Sequence, residues 1–407
     1  MKSRQPQAHA PFVAVAGLSA RLLAQSAARA GLRVAALDIF GDRDTREASE
    51  VWFDIGGGAL TIDRSRIVDA LTRVAHLPHL LGWIGGSGLE PLMAQLCREP
   101  GLPRFIGNDA EASAAVREPR RFFALLDALR IPHPAVSFER PVSPAGWLVK
   151  DAHGCGGTHI KPAAALDADA VPVPTHGYFQ QIGNGLPLSA LFIGARGRAH
   201  LIGFARQLTC TLGDLAFVHG GSIGPIDLPP QLAVRVQEAL DALCARTGLV
   251  GINSCDFLLE GDAFDVLEIN ARPSSTMALY ETASPDAWPR GLLAWHLEAC
   301  RGGRPPPGAS IALARQPRWC AGQQVLFAPR SFTVSSGFSD ACLRDPQCRD
   351  VPMPGTRVDA GQPVCTLLVR AASEDAVRRA LDAQHACVVQ RIETCDEPDH
   401  VCIPCSS

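Results

Sequence analysis

The sequence predicts a mixed α/β and α+β protein that opens with a parallel βαβ unit and closes with a small β-rich region. Three observations carry this. Apolar strand and helix patterns alternate over the first hundred residues, two apolar runs joined by a short turn lie near residue 260, and short strands with turns follow the Pro/Gly segment R-G-G-R-P-P-P-G at 301–308. At 407 residues the chain is long enough for two or three domains with cores of their own. Divisions are expected at 1–108, 109–180, 181–300 and 301–407.

Phe12–Ala16 reads as an apolar strand, Gly17 begins a turn, and Ala20–Ala30 reads as a helix ended by Gly31. The next strand, Leu32–Leu37, delivers Asp38 at its carboxyl end. That arrangement is shared with dinucleotide folds, but G-L-S-A is not G-x-G-x-x-G, which argues against NAD. Further on, L-L-G-W-I-G-G-S-G-L-E-P offers a strand, a glycine loop and a helix opening at Glu90. Gly85, Gly86, Ser87 and Gly88 can cradle an anion there; Glu90 either bonds an amine or caps the helix, and the capping role is preferred.

The stretch G-W-L-V-K-D-A-H-G-C-G-G-T-H-I places Lys150 at the end of a strand, ahead of a turn containing Gly154, Gly156 and Gly157. Glycines let backbone bend around phosphate oxygens and a lysine supplies a compact positive charge for them. No G-x-x-x-x-G-K-[ST] string is present, so this is not a Walker A loop. Only three lysines, Lys2, Lys150 and Lys161, stand against 35 arginines, and one of them sits beside this loop. An ordinary surface lysine on a strand connection is the competing reading.

Downstream, F-V-H-G-G-S-I-G-P contains Gly220, Gly221 and Gly224 and is not expected to be regular throughout; it covers a reacting centre or merely connects. Gln231–Thr247 reads as an amphipathic helix with Leu232, Val236, Leu240 and Leu243 on one face. The runs Asn253–Leu259 and Phe264–Asn270 read as a hairpin around Gly261. Alternation puts Glu268 and Asn270 on one face, Leu267 and Ile269 on the other, and a turn near Asp262 sets Asp256 opposite Glu268 at about 5 Å between Cβ atoms. Two carboxylates that close repel unless a cation lies between them, and an all-oxygen set with Asn270 suits Mg²⁺. Acids placed by chance on a solvated hairpin are the alternative. Arg272, two residues beyond Asn270, is a candidate for neutralising charge on a reacting group, and Ser274, Ser275 and Thr276 either touch substrate or cap a helix.

Lys150, then G-C-G-G, then Asp256, then E-I-N, in that order, resemble the ATP-grasp superfamily. The resemblance implies an ATP-grasp fold: a Rossmann-like pre-ATP-grasp domain over 1–108, a small lobe over 109–180, a large lobe with the Mg²⁺ site over 181–300, and a β-rich C-terminal domain over 301–407. It implies ATP and Mg²⁺ as cofactors, with Lys150 and the glycine loop on the phosphates. The stretch Y-F-Q-Q-I-G-N-G looks like the family's hinge, where backbone at Gln181 and Ile182 would meet the adenine edge and Gln180 and Gln181 stand where relatives often carry a ribose-binding glutamate. A further family lysine has no counterpart in V-R-E-P-R-R-F-F, so Arg120 or Arg121 would supply that phosphate contact.

G-S-G-L-E, F-I-G-N, G-W-L-V-K and the D-V-P-M-P-G-T…G-Q-P-V-C-T tail are similar to carboligases related to biotin carboxylase, among them an ATP-grasp protein of the tetrahydromethanopterin and methanofuran C1-transfer pathway of methylotrophs. That similarity implies a carboxylate–amine ligase acting through an acyl phosphate in cofactor biosynthesis, with glutamate as a candidate amine. A bicarbonate-using carboxylase and a non-catalytic ATP-binding partner are the alternatives.

Composition bounds the rest. A net charge of −3 gives no basic surface for nucleic acid or anionic membrane; the resemblance implies small-molecule acid and amine substrates. No apolar run approaches the roughly 20 residues that span a bilayer, and the polar first ten residues are unlike a signal peptide's apolar core. A cytoplasmic protein is expected, with most of its 14 cysteines as thiols. Its assembly state, a homodimer included, is left open. Near the end, Cys395, His400, Cys402 and Cys405 gather four soft ligands, of which only Cys402 and Cys405 have C-x-x-C spacing; a frayed terminus is the preferred reading over zinc.

Overall fold

The structure, a computed structural model, describes residues 9–58, 60–166 and 176–395. Its first unit is a four-stranded parallel sheet in the order Val51–Asp54, Arg33–Asp38, Phe12–Ala16, Trp83–Gly85. Alternate residues of the central strand feed two cores: Val13 and Val15 pack with Leu23, Ala24 and Ala27 of the helix Arg21–Arg29, while Ala14 and Ala16 face Ile67, Ala70 and Leu71 of the helix Arg64–Val74. A parallel sheet covered on both faces needs such apolar strands. Asp38 ends its strand fully buried and accepts hydrogen bonds from Ala20 N–H (2.9 Å), Gly41 N–H (2.8 Å) and Trp52 Nε1–H (2.7 Å). These three bonds tie the carboxylate to the turn after the first strand, to the turn after its own strand and to the edge strand, a structural role in the sheet.

A small antiparallel sheet follows, ordered Val136–Ser137, Gly177–Gln181, Trp147–Asp151, Ile160–Pro162. Direct pairing of Gln180 with Leu148 and of Tyr178 with Lys150 puts these four side chains on one face. The other face buries Val149 and Phe179 against Ala163.

The largest sheet has eight antiparallel strands, ordered Ala263–Asn270, Gly251–Glu260, Leu186–Ala195, Arg198–Leu212, Leu215–Ile226, Cys320–Phe327, Pro363–Ala371, Cys348–Arg349. The β-rich C-terminal region is therefore not a separate appendage, because Cys320–Phe327 hydrogen-bonds directly to Leu215–Ile226. That latter strand holds the F-V-H-G-G-S-I-G-P segment, expected to be irregular. It stays in the ladder with register shifts, and Gly221 (φ +150°) is needed because a Cβ there would lie 2.1 Å from the Gln323 carbonyl oxygen of the neighbouring strand. The helix Pro230–Thr247 buries Leu232, Val236, Leu240 and Leu243, as its period requires. The C-terminal helix runs from Glu374 to Glu393, with Ser373 accepting from Ala376 N–H at its start.

Buried polar contacts tie the units together. Asn108, from F-I-G-N, donates to Asn253 Oδ1 (2.7 Å) and the Ala271 carbonyl (2.9 Å) and accepts from Val250 N–H (2.7 Å). Arg21 reaches Asp350 with Nε at 2.8 Å, and Asp44 accepts from the Asp350 and Val351 N–H groups, each at 3.0 Å. Among the described cysteines most are free thiols, six of them buried, and Cys387 is disulfide-bonded. His400, Cys402 and Cys405 lie outside the described residues, and Cys395 packs its Sγ on Ser335 Oγ at 3.2 Å.

Candidate active site

The small sheet, the large sheet and the first unit together enclose a cavity of about 460 Å³, within the range of small-molecule sites. The hairpin Gly251–Glu260 and Ala263–Asn270 forms its floor. Asp256 pairs directly with Glu268 and Ser254 with Asn270, so all four face the cavity. Asn270 Nδ2 donates to Asp256 Oδ2 and Glu268 Oε1, both at 3.2 Å. An amide N–H pair thus bridges two carboxylates that would otherwise repel. One expectation fails here: Leu267 also lines the cavity rather than turning away. A bulge between Asp256 and Phe257, whose partners are Glu268 and Val266, leaves Leu267 unpaired and breaks the two-residue alternation. Ile269 is buried in the opposite core as expected.

Charges in the cavity are arranged in opposition. Burial pushes the Asp256 carboxyl up, and Glu268 adds to the effect, while Ser189 and Gln207 oppose it. Burial also raises Glu268, but Lys150, Arg117 and His159 together outweigh it and hold Glu268 below the usual carboxylate range. Burial lowers the Lys150 ammonium, with Glu268 and Asp256 pulling the other way. Of the pair, Glu268 is therefore the acid that ionises first, facing Lys150 of the small sheet.

Arg272 gives Nε to Glu90 Oε1 at 2.6 Å and an NH2 proton to Asn270 Oδ1 at 3.1 Å. Glu90 does not open a helix; the nearest helix is the four-residue Met93–Leu96, and Glu90 Oε2 accepts instead from Gly88 N–H at 2.6 Å. Its role is to anchor Arg272 over the acid cluster. Burial lowers the Arg272 guanidinium, but Glu90 more than restores it.

The glycine loop closes over the cavity. His219 N–H donates to the Gly156 carbonyl at 2.9 Å, and Gly157 (φ +78°) lies so close to the opposite strand that a Cβ would meet Phe217 O at 1.8 Å. Gly154, Gly156, Gly157 and Lys150 all line the cavity.

Two expected contributors stand elsewhere. Arg120 stacks on the Phe138 ring at 4.1 Å and Arg121 pairs with exposed Glu111; neither lines the cavity. Both belong to the helix Pro119–Leu129, whose start directs them outward. Arg117, on the preceding helix Ala110–Arg117, lines the cavity instead and donates to the Ala152 carbonyl at 2.6 Å. The stretch V-R-E-P-R-R contained the right residue type, but only the break at Glu118–Pro119 between two helices decides which arginine points inward. At the hinge, Gln181 N–H and Ile182 N–H are already donated to Ala135 O and Gly146 O, each at 2.8 Å, so they are not free to meet a base. Gln181 and Ile182 nonetheless line the cavity, as expected, together with Gly183. Gln180 is 1 % exposed and lines it too, with Nε2 lacking any hydrogen-bond partner among the described residues.

Residues 120–276 match a family model described as ATP-grasp domain. A search of the curated proteins finds no match. Solved structures similar to this chain include biotin carboxylase from Campylobacter jejuni in complex with β,γ-ATP, at 13% identity over 93% of this chain and 95% of that one, TM-score 0.66. An L-amino acid ligase from Bacillus licheniformis aligns at 14% identity over 93% and 98%, TM-score 0.64. N5-carboxyaminoimidazole ribonucleotide synthetase from Thermus thermophilus aligns at 15% over 93% and 98%, TM-score 0.64. The chain therefore has the ATP-grasp fold, with an ATP-grasp domain over residues 120–276.

Proposed function

We propose that this protein is an ATP-dependent ligase that joins a small carboxylic acid to an amine through an acyl phosphate. One observation carries the reading: Asp256, Glu268 and Asn270 share a cavity face with Lys150, Arg117 and Arg272 around them. The donor set fits Mg²⁺, a hard cation that takes oxygen ligands, once the Asn270 amide turns its oxygen toward the two carboxylates. When bound, the metal would neutralise phosphate charge and polarise the transferring phosphoryl group.

The chain's own residues supply the remainder. Lys150 and the N–H groups of Cys155, Gly156 and Gly157 hold the triphosphate, and Arg117 adds a planar guanidinium at the same end. Arg272, fixed by Glu90, meets the acid as its carboxylate oxygen attacks the γ-phosphorus and ADP leaves. The same guanidinium then faces the tetrahedral centre formed when the amine attacks the acyl carbon and expels phosphate. The closed glycine loop keeps water from the acyl phosphate. No protein nucleophile is required. We place the reaction in cofactor biosynthesis of the tetrahydromethanopterin or methanofuran type, with glutamate as the amine, and the protein in the cytoplasm; the motif resemblance supports the former. No described helix is long and apolar enough to cross a membrane.

The test reads phosphate release and product mass together over pools of acids and amines, with bicarbonate as a separate arm. Phosphate release that requires both an acid and an amine supports the ligase; release that requires bicarbonate replaces it with a carboxylase. Glu268→Gln is expected to abolish turnover with the fold intact, and unchanged activity would defeat the assignment.

A further inference from the structure

We infer that His219 is the general base that takes a proton from the attacking amine, and that the amine substrate is one that arrives as an ammonium ion. The inference rests on the ligase reading above and deepens it by naming the residue that acts in its second half-reaction. His219 lies on the strand Leu215–Ile226, paired directly with Thr209, and both residues line the cavity. Its own N–H is bonded to the Gly156 carbonyl at 2.9 Å, which ties it to the glycine loop, and Arg272 and Glu268 are the charged groups that act on its ring. The imidazole therefore stands between the phosphate end of the cavity and the guanidinium that faces the tetrahedral centre.

Elimination among the titratable groups that line the cavity points to the same residue. Arg117 and Arg272 are guanidiniums and cannot accept a proton. Lys150 is the cation set against Glu268, and Asp256 and Glu268 are the carboxylates that suit the metal. Burial pushes the Cys155 thiol up and keeps it protonated. His159 has Nδ1 sealed in without a partner. His219 is half-buried, its ring makes no hydrogen bond among the described residues, and neither of its nitrogens is sealed in that way. Burial and the Arg272 charge hold its pKa down, with Glu268 opposing, so the ring is neutral at neutral pH and offers a free lone pair.

An ammonium nitrogen has no lone pair to give. His219 takes one of its protons, the freed pair forms the C–N bond to the acyl carbon, and the C–O bond to phosphate breaks with its electron pair leaving on phosphate. A second nitrogen proton departs with that phosphate, and the imidazolium releases its own to solvent. The Arg272 charge beside the ring favours this return to the neutral form before the next turnover.

The test compares two kinds of nucleophile on wild type, His219→Gln and His219→Asn, each as the full chain with ATP, Mg²⁺ and every acid of the pool above. Hydroxylamine is already unprotonated at neutral pH and traps an acyl phosphate as a hydroxamate without help from a base, whereas the amines of the pool arrive as ammonium ions. Both variants are expected to form hydroxamate at close to the wild-type rate and to form amide on the order of 10²- to 10⁴-fold more slowly, the range for a positioned proton acceptor. Raising the pH is expected to recover amide formation in the variants as free amine accumulates. Loss of both products together would assign His219 to the acyl-phosphate step or to the fold, and loss of neither would remove it from the chemistry; either result overturns the proposal. If wild type gives no hydroxamate with any acid of the pool, the ligase reading itself falls, and this inference with it.

Discussion

Replacing Asp256 by asparagine separates the two roles of the acid pair. In the ligand-free protein Asp256 and Glu268 face one another across the hairpin and share the Asn270 amide as donor. At a Cβ separation of about 5 Å and an effective dielectric near 20, two such charges repel by roughly 3 kcal/mol. Both residues open onto the cavity, so screening by water reduces this to about 1–2 kcal/mol. Asp256→Asn removes that repulsion and keeps the Glu268 charge that opposes Lys150. Because burial and Glu268 push the Asp256 carboxyl up to about 7, the repulsion is fully developed only above that pH, and the ligand-free variant is expected to be more stable than wild type by about 1–2 kcal/mol in urea unfolding at pH 8.5, scaled by the m-value. It also loses one anionic ligand, so stabilisation by Mg²⁺ with ATP should largely vanish, whereas wild type should gain on the order of 3 kcal/mol when ligand is near 100-fold above Kd. A gain in one state with a loss in the other is the pattern of a charge pair built for a cation. A variant less stable without ligand, yet fully protected by Mg²⁺ and ATP, would refute the reasoning.

Three further outcomes follow from the geometry. Arg117→Ala should weaken ATP binding on the order of 10- to 100-fold, because a charged hydrogen-bond donor to phosphate is removed, whereas Arg120→Ala should cost only about 0.5–1 kcal/mol of stability from its stacking on Phe138 and leave nucleotide affinity unchanged; calorimetry and urea unfolding distinguish the two. Gly157→Ala places a methyl group into Phe217 O and should displace the loop and lower ATP affinity roughly tenfold or more, while Gly156→Ala meets no atom within 4 Å and should show only the ~1–2 kcal/mol strain of its φ of +67°. His296 accepts from Ile252 N–H at 2.9 Å through Nδ1 and donates from Nε2 to Ile106 O at 3.1 Å, so it is buried neutral, and burial lowers its pKa to about 4 despite the Ile106 bond. Its contribution is fully present above the unfolded value near 6.5 and is lost as pH falls toward 4, amounting to about 2 kcal/mol by pH 5; His296→Gln, measured by urea unfolding at pH 7 and pH 5, should remove that part of the pH dependence.

Much of the site was legible because it depends on local periodicity. Asp256 and Glu268 were placed opposite one another by hairpin spacing, and the ladder pairs them directly. The first two strands and the helix between them agree with expectation within about one residue, because the strands are apolar runs and the helix is an apolar-rich stretch ended by Gly31. What failed was non-local. Leu267 faces the cavity because of a bulge that no two-residue pattern contains. The inward arginine is Arg117 because a helix break turns Arg120 and Arg121 outward. Glu90 was read against a helix start, whereas its partner, Arg272, lies 182 positions away in the chain. The hinge N–H groups were spent on loops whose positions only tertiary packing sets.

Crystals grown with Mn²⁺ and a non-hydrolysable ATP analogue, measured at the manganese edge, address the central claim most directly. We expect an anomalous peak about 2.1–2.2 Å from carboxylate oxygens of both Asp256 and Glu268, with the phosphates between it and Lys150. A nucleotide bound elsewhere, or a metal that touches neither acid, would contradict it.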